Sequence, residues 1–297
     1  MALSTGNFAE LLWPGIKDLF GTSYKDWKPL YTQVFTVQTS DKNFEKFQGV
    51  TGTPLVGVKT QGNTVPYADP YQGFQKEFVH TTYALGVTVT REMVEDDQYS
   101  YIRQLPGFLS RSMKQSMETD HFNVINNATT ATITGADGVT LANASHPLVG
   151  GGTFSNQPAT AADLSQTALE TAFTDIMNFV DDQSLKINVM PKTLLVSTSD
   201  WANAEKILQT KYAVGSADND INPIEGRLNL VVSPYLTDTD AWTVITDVPN
   251  GLISMKRRAP TIDRENAFDT QNLKIITTAR WSRSWVDPRC VYHSVGA

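Results

Sequence analysis

Leu55-Val56-Gly57-Val58-Lys59-Thr60-Gln61-Gly62-Asn63-Thr64-Val65 is the stretch whose reading decides the fold. Gly62-Asn63 between two β-branched runs is a signal for a two-residue hairpin turn. It marks the tip of a long polar ribbon, Phe44 to Thr90. The returning strand alternates Tyr83, Leu85, Val87 and Val89 against Ala84, Gly86, Thr88 and Thr90. A two-stranded ribbon is at best marginally stable alone in water. With so few large apolar residues near its tip, this one needs a surface to lie on. Another copy of the same chain is the expected support.

The ribbon runs directly into an expected amphipathic helix, Arg91 to Ala128. Acids crowd its start (Glu92, Glu95, Asp96, Asp97), where the helix dipole favours negative charge. Pro106-Gly107 is expected to kink or split it. Beyond that point Leu109, Met113, Met117 and Val124 form one apolar stripe, with Phe108 and Ile125 beside it. Arg111, Lys114 and Glu118 occupy the opposite, solvent-facing side.

Outward from this unit, residues 1 to 43 read as an arm of short helices, with Pro14 interrupting the spacing of Phe8, Leu11, Leu12, Ile16, Leu19 and Phe20. Residues 129 to 162 are loop-like. Asp163 is expected to cap a helix carrying Leu169, Ala172, Phe173, Ile176, Met177 and Val180. Thr193 to Val196 reads as a buried strand, and Ser199 or Asp200 as the cap of a short helix through Leu208. Leu228 to Val232, Ala241 to Thr246 and Leu252 to Lys256 read as strands. Leu273 to Tyr292 reads as extended, broken at Asp287-Pro288. The class is α+β.

Composition narrows the function. The chain has 297 residues, 40% of them hydrophobic and 19% charged, enough for a sizeable core. A net charge of −7 argues against a general nucleic-acid-binding surface. The single cysteine, Cys290, rules out an intrachain disulfide and a cysteine zinc site, and points to a reducing compartment. No signal peptide and no membrane-length apolar run is visible.

The chemistry-bearing residues form no convincing constellation. His80, His121, His146 and His293 lack metal-ligand spacing, and His121 continues the 109, 113, 117 stripe as a core or interface residue would. Ser145-His146 has no nucleophile elbow around it. Gly150-Gly151-Gly152-Thr153 lacks the ending of a phosphate loop. Asp218-Asn219-Asp220-Ile221-Asn222 places Pro223 where a calcium loop needs glycine. Asp96-Asp97 and Asp181-Asp182 read as helix-end charge rather than paired acid and base. Lys256-Arg257-Arg258 is a basic patch. Arg280, Arg283 and Arg289 interleave with Trp281 and Trp285, as at interface cores or in ordinary sheet packing.

Three segments carry a resemblance. Gly62 to Gly73 (GNTVPYADPYQG) resembles the extended loop of tailed-phage major capsid proteins. Tyr83 to Asp97 (YALGVTVTREMVEDD) looks like that family's entry into its spine helix. Ser145 to Asn156 (SHPLVGGGTFSN) is similar to a loop of Mu-like head subunits. Leu194-Leu195-Val196, Asp200-Trp201, Leu230-Val231-Val232 and Asp287-Pro288-Arg289 follow in the family's order. The resemblance implies a Hong Kong 97-type capsid fold. Its parts map to an N-terminal arm (1–43), an extended loop (44–82), a peripheral domain with the spine helix (83–128 and 256–286) and an axial domain (129–255 and 287–297). It implies hexamers and pentamers tiling an icosahedral head around double-stranded DNA. The site of this subunit would sit in the virion capsid, assembled in the host bacterial cytoplasm.

The partners so implied are further copies of the chain, a scaffolding protein, a portal, and packaged DNA touched without sequence preference; no membrane, cofactor, metal or catalytic residue is implied. Lys59, Gly62, Asn63, Tyr67, Arg257 and Arg258 are the expected assembly contacts. Some relatives crosslink an extended-loop lysine, but no local pattern around Lys59 identifies such a bond. Two other readings compete. An encapsulin-type nanocompartment shell would keep the fold and enclose cargo enzymes. A soluble hydrolase would use Ser145 and His146 and leave the ribbon unexplained.

Overall fold

The computed structural model describes residues 28–69, 72–95, 104–212 and 220–297. The expected helices before Lys28, including Trp27, and the Asp96-Asp97 and Asp218-Asn219 pairs lie outside these residues.

Two four-stranded sheets organise the chain. The first has Thr36–Thr39 (β1), Thr81–Val89 (β4), Leu252–Asn266 (β10) and Leu273–Trp285 (β11) in the order β1-β10-β11-β4. β1 runs parallel to β10, and the other neighbours are antiparallel. Alternation along β11 decides its orientation: Ile275, Thr277, Ala279 and Trp281 are buried, while Lys274 and Ile276 are exposed. The expected strand Leu252 to Lys256 is only the first third of a 15-residue strand.

The second sheet has Pro191–Ser197 (β7), Asn229–Ser233 (β8), Trp242–Thr246 (β9) and Val291–Ser294 (β12) in the order β12-β9-β7-β8. Central strand β7 buries Leu194, Leu195 and Val196 completely, because both faces are covered. On one face sit the helices Gln166–Met177 and Trp201–Gln209, through Leu169, Ile176 and Ile207. On the other lie Phe122, Ile125 and Leu141.

The long helix Leu105–Asn126 ties the sheets together. Leu109 packs on Ile262 and Ile275 of the first sheet, and its last turns meet Leu195 and Val231 of the second. Its start decides between the two outcomes expected at Pro106-Gly107, a kink or a split. Pro106 lies in the first turn of a helix whose N-cap is Gln104. There the missing N–H costs nothing, so Pro106-Gly107 opens this helix instead of kinking a longer one. A separate short helix spans Arg91–Glu95.

Further corrections concern side chains. Phe108 faces solvent, whereas Lys114 and Glu118, expected in water, are buried. The cap of Gln166–Met177 is Ser165, which accepts from Ala168 N–H. Asp163 accepts instead from the backbone of Ala297. Asp200 is the N-cap of Trp201–Gln209, without a side-chain bond.

Candidate assembly surfaces

The ribbon base is a true ladder, Phe44–Val50 (β2) against Gln72–Val79 (β3). Phe78 anchors it, buried with Ile253 and Met255 and edge-on to Phe47 at 5.3 Å. Lys76 reaches from β3 to the carbonyl of Thr134 and over the Trp285 ring. Burial lowers the Lys76 ammonium below the ordinary lysine range. These contacts fix the direction in which the ribbon leaves the body.

Past the base the ladder stops. Residues 51–69 have no strand pairing, which corrects the expectation of one continuous hairpin. A single turn closes the tip, with Asn63 N–H donating to Thr60 O at 3.2 Å. Its central residues are Gln61-Gly62 rather than Gly62-Asn63. Gly62 takes φ +86°, the left-handed value that favours glycine at the third position of such a turn. Val56, Val58 and Tyr67 are 99%, 97% and 95% exposed, and Lys59, Gly62 and Asn63 are open to solvent.

The arm is latched to the long helix by a group that pattern reading placed in water. Glu118 accepts from Leu30 N–H (2.7 Å) and Tyr31 N–H (3.0 Å), the orphan donors at the start of the short helix Tyr31–Val34. Burial raises its carboxyl above the usual range, and the two backbone bonds oppose that. Beside it Tyr31 stacks on His121 at 4.2 Å and Phe35 meets the same ring edge-on. His121 Nδ1–H donates to Met117 O and Nε2 accepts from the Ser254 hydroxyl. Burial holds this ring down to about 4.

A row of arginines crosses the first sheet beside the ribbon base. Arg258 stands opposite Arg280 between two register shifts. Arg280 donates to His80 O and Asn43 Oδ1, both neutral. Arg257 reaches Asp41 Oδ1 at 3.4 Å, and Arg258 is exposed. Like charges directly opposite are mildly destabilising, so this row suits an anionic partner. Trp281, Trp285 and Arg283, in contrast, turn inward. Trp281 stacks on Tyr83 and donates to Asp120, which also pairs with Arg283 at 2.6 Å. Sheet packing is therefore the reading the structure supports for these three.

Ser145 and His146 are not brought together as a catalytic pair. Ser145 is exposed, while His146 is fully buried, with Asp137 at 2.6 Å from Nδ1 and Asn156 at 3.1 Å from Nε2. Phe154 stacks on His146 and also lies under the guanidinium of Arg289, at 5.0 and 4.7 Å. Arg289 pairs in turn with Asp182 and Asp287. This network locks loops together; its His146, Asp182 and Asp287-Pro288-Arg289 members were each singled out in the sequence, but their pairing was not. The Gly150-Gly151-Gly152 run is a tight turn between two short strands, His146–Pro147 (β5) and Thr153–Phe154 (β6), closed by Leu148 N–H to Gly152 O. Asn222 braces a turn through Ile207 O and Thr210 O. Among the described residues, no three histidine, cysteine or acidic side chains gather as metal ligands, and no helix is long and apolar enough to cross a membrane.

Comparison with known proteins agrees with this geometry. No curated protein matches the sequence. Solved structures do. One from Microbacterium phage Oxtober96 is 11% identical, with a TM-score of 0.56 and 91% of each chain covered. The bacteriophage JBD30 capsid is 13% identical at a TM-score of 0.59, covering 71% of this chain and 92% of that one. A virus-like particle from Pyrococcus furiosus is 9% identical at a TM-score of 0.51, covering 95% and 98%. The shared architecture is the Hong Kong 97-type capsid fold. The family described as phage capsid protein matches residues 75–294, well over half of the chain. This chain therefore belongs to the phage capsid protein family, and its role is structural.

Proposed function

We propose that the chain is the major subunit of a tailed-phage head, forming hexamers and pentamers of an icosahedral shell that encloses double-stranded DNA. One observation carries the reading: a ribbon of residues 51–69 that is solvent-exposed along most of its length, on a chain of a shell-building family. Its rigid base and unsupported outer half are what a subunit needs to overlap its neighbour. Lys59, Gly62, Asn63 and Tyr67 make that contact, and Arg257 and Arg258 meet acidic groups of an adjoining copy.

In this reading residues 1–43 are the arm and 44–82 the extended loop. Residues 83–128 with 256–286 form the peripheral domain, and 129–255 with 287–297 the axial domain. A scaffolding protein and a portal guide assembly in the host cytoplasm, and DNA is held by sequence-independent phosphate contacts. The mechanism is summation, since each modest interface recurs in a closed symmetric particle. A second reading keeps the fold, which the virus-like particle shares, and makes the shell a nanocompartment with cargo other than a genome. The contents of purified particles distinguish the two.

The test is deletion of Gln61–Thr64, or Gly62→Val, which forces a β-branched residue into left-handed backbone. Nothing lies within 4 Å of the added Cβ, so the subunit itself stays folded. Loss of particles with an unchanged melting temperature supports the reading. Normal particles from both variants overturn it.

A further inference from the structure

A cavity of about 630 Å³ lies where the two sheets meet beside the arm. Its walls are residues 31–37, the start of β7, the end of β9 and the first residues of β10. That volume falls within the range of small-molecule sites, which favour boundaries between structural units.

Charge sets the cavity apart. Acids outnumber bases in the chain, 31 to 24. Yet its charged lining residues are Lys192 and Lys256, with no acid among the described residues that line it. Neither lysine has an ion-pair partner among the described residues. The backbone singles out Lys192. β7 meets β9 at Pro191↔Thr246 and next at Thr193↔Ile245, so Lys192 is an extra residue with none opposite it. Such a bulge bends a strand and re-aims a side chain. Lys192 is exposed and Lys256 half-buried, on strands of different sheets. Two unpaired ammonium groups lining one cavity are both favoured by an anion between them.

We infer that this cavity binds a phosphate-bearing ligand of nucleotide size. Lysine binds phosphate as a point charge with three donors. Two lysines match the near-double charge of a phosphoryl group better than the single charge of a carboxylate. Phosphate alone would leave most of the volume empty. Val34, Val248 and Leu252 offer apolar surface to the rest of the ligand. A free nucleotide and the end of a nucleic-acid strand both present this chemistry.

The test is titration calorimetry of the full chain with ADP, with a short oligothymidine carrying a terminal phosphate, and with succinate as a phosphate-free dianion. ADP or the oligothymidine is expected to bind with a Kd of about 1 mM or tighter. Lys192→Gln and Lys256→Gln should each weaken that binding by about fivefold. Lys192→Arg keeps the charge and should retain most of it. Unchanged melting temperatures of the unliganded variants separate lost binding from lost folding. Lysine-dependent binding of ADP alone supports the proposal and assigns the site to a free nucleotide. Lysine-dependent binding of the oligothymidine alone supports it and assigns the site to a strand end. Absence of saturable binding by both, binding that neither glutamine variant weakens, or equal affinity for succinate would overturn it.

Discussion

Glu118→Ala tests how the arm is held. The carboxylate is almost fully buried and accepts two backbone N–H groups from Leu30 and Tyr31. Removing it leaves both donors without that acceptor. A hydrogen bond to a charged group contributes about 1.5–3 kcal/mol. Against this stands the burial that already disfavours the ionised carboxyl and raises its pKa. Two bonds less that opposing effect leave a loss of about 3 kcal/mol, or roughly 5 °C in melting temperature for a chain of this size. Glu118→Gln keeps an acceptor but turns an amide N–H toward a donor, so it loses about half as much. The assay is urea and thermal unfolding of the subunit, with exchange rates of the Leu30 and Tyr31 amides as a local readout. A Glu118→Ala subunit within 0.5 kcal/mol of the parent, its two amides still protected, would refute the latch.

Acid should weaken the subunit through two buried rings. Burial holds both His121 and His293 down to about 4. The unfolded rings take up protons near pH 6.5 and the folded ones only near 4, so stability is lost as pH falls across that window, by about 3 kcal/mol per ring at its lower end. Urea midpoints at pH 7.5, 5.5 and 4.5 check this, and a flat series would contradict it. Asp120→Ala unties Tyr83, Trp281 and Arg283 together. It should cost about 2–4 kcal/mol and shift tryptophan emission to the red, with Asp120→Asn milder. Gly135→Ala brings a Cβ to 2.7 Å from Trp285 Nε1 and should cost about 1–3 kcal/mol in thermal unfolding.

Elements whose period matched their surroundings were legible in the sequence. Thr193 to Val196 read as a buried strand, and the alternation in β4 announced its inner side. The break at Asp287-Pro288 fell where Pro288–Cys290 turns the chain into the last strand. What failed did so for identifiable reasons. At Pro106 a kink and a split both stayed open, because proline reads the same in a first turn as in a helix interior and Gln104 is not a capping residue type that would have separated the two. Asp163 and Ser165 are both good caps two residues apart, and only the backbone path chose the serine. Glu118 looked solvent-facing because helical periodicity knows nothing of an arm some 90 residues earlier. The ribbon tip was placed to within one residue, but β-branched residues alone did not zip its limbs into a ladder. Of the assembly contacts, exposure of Lys59, Gly62, Asn63 and Tyr67 was foreseeable from the turn.

The central claim is that this chain builds a shell, and the most direct test is the mass and image of what it forms. Light-scattering mass and negative-stain microscopy are applied to the purified chain, alone and with the scaffolding protein proposed for it. The account predicts closed particles, or rings of five or six subunits. A protein that stays monomeric under both conditions would contradict it.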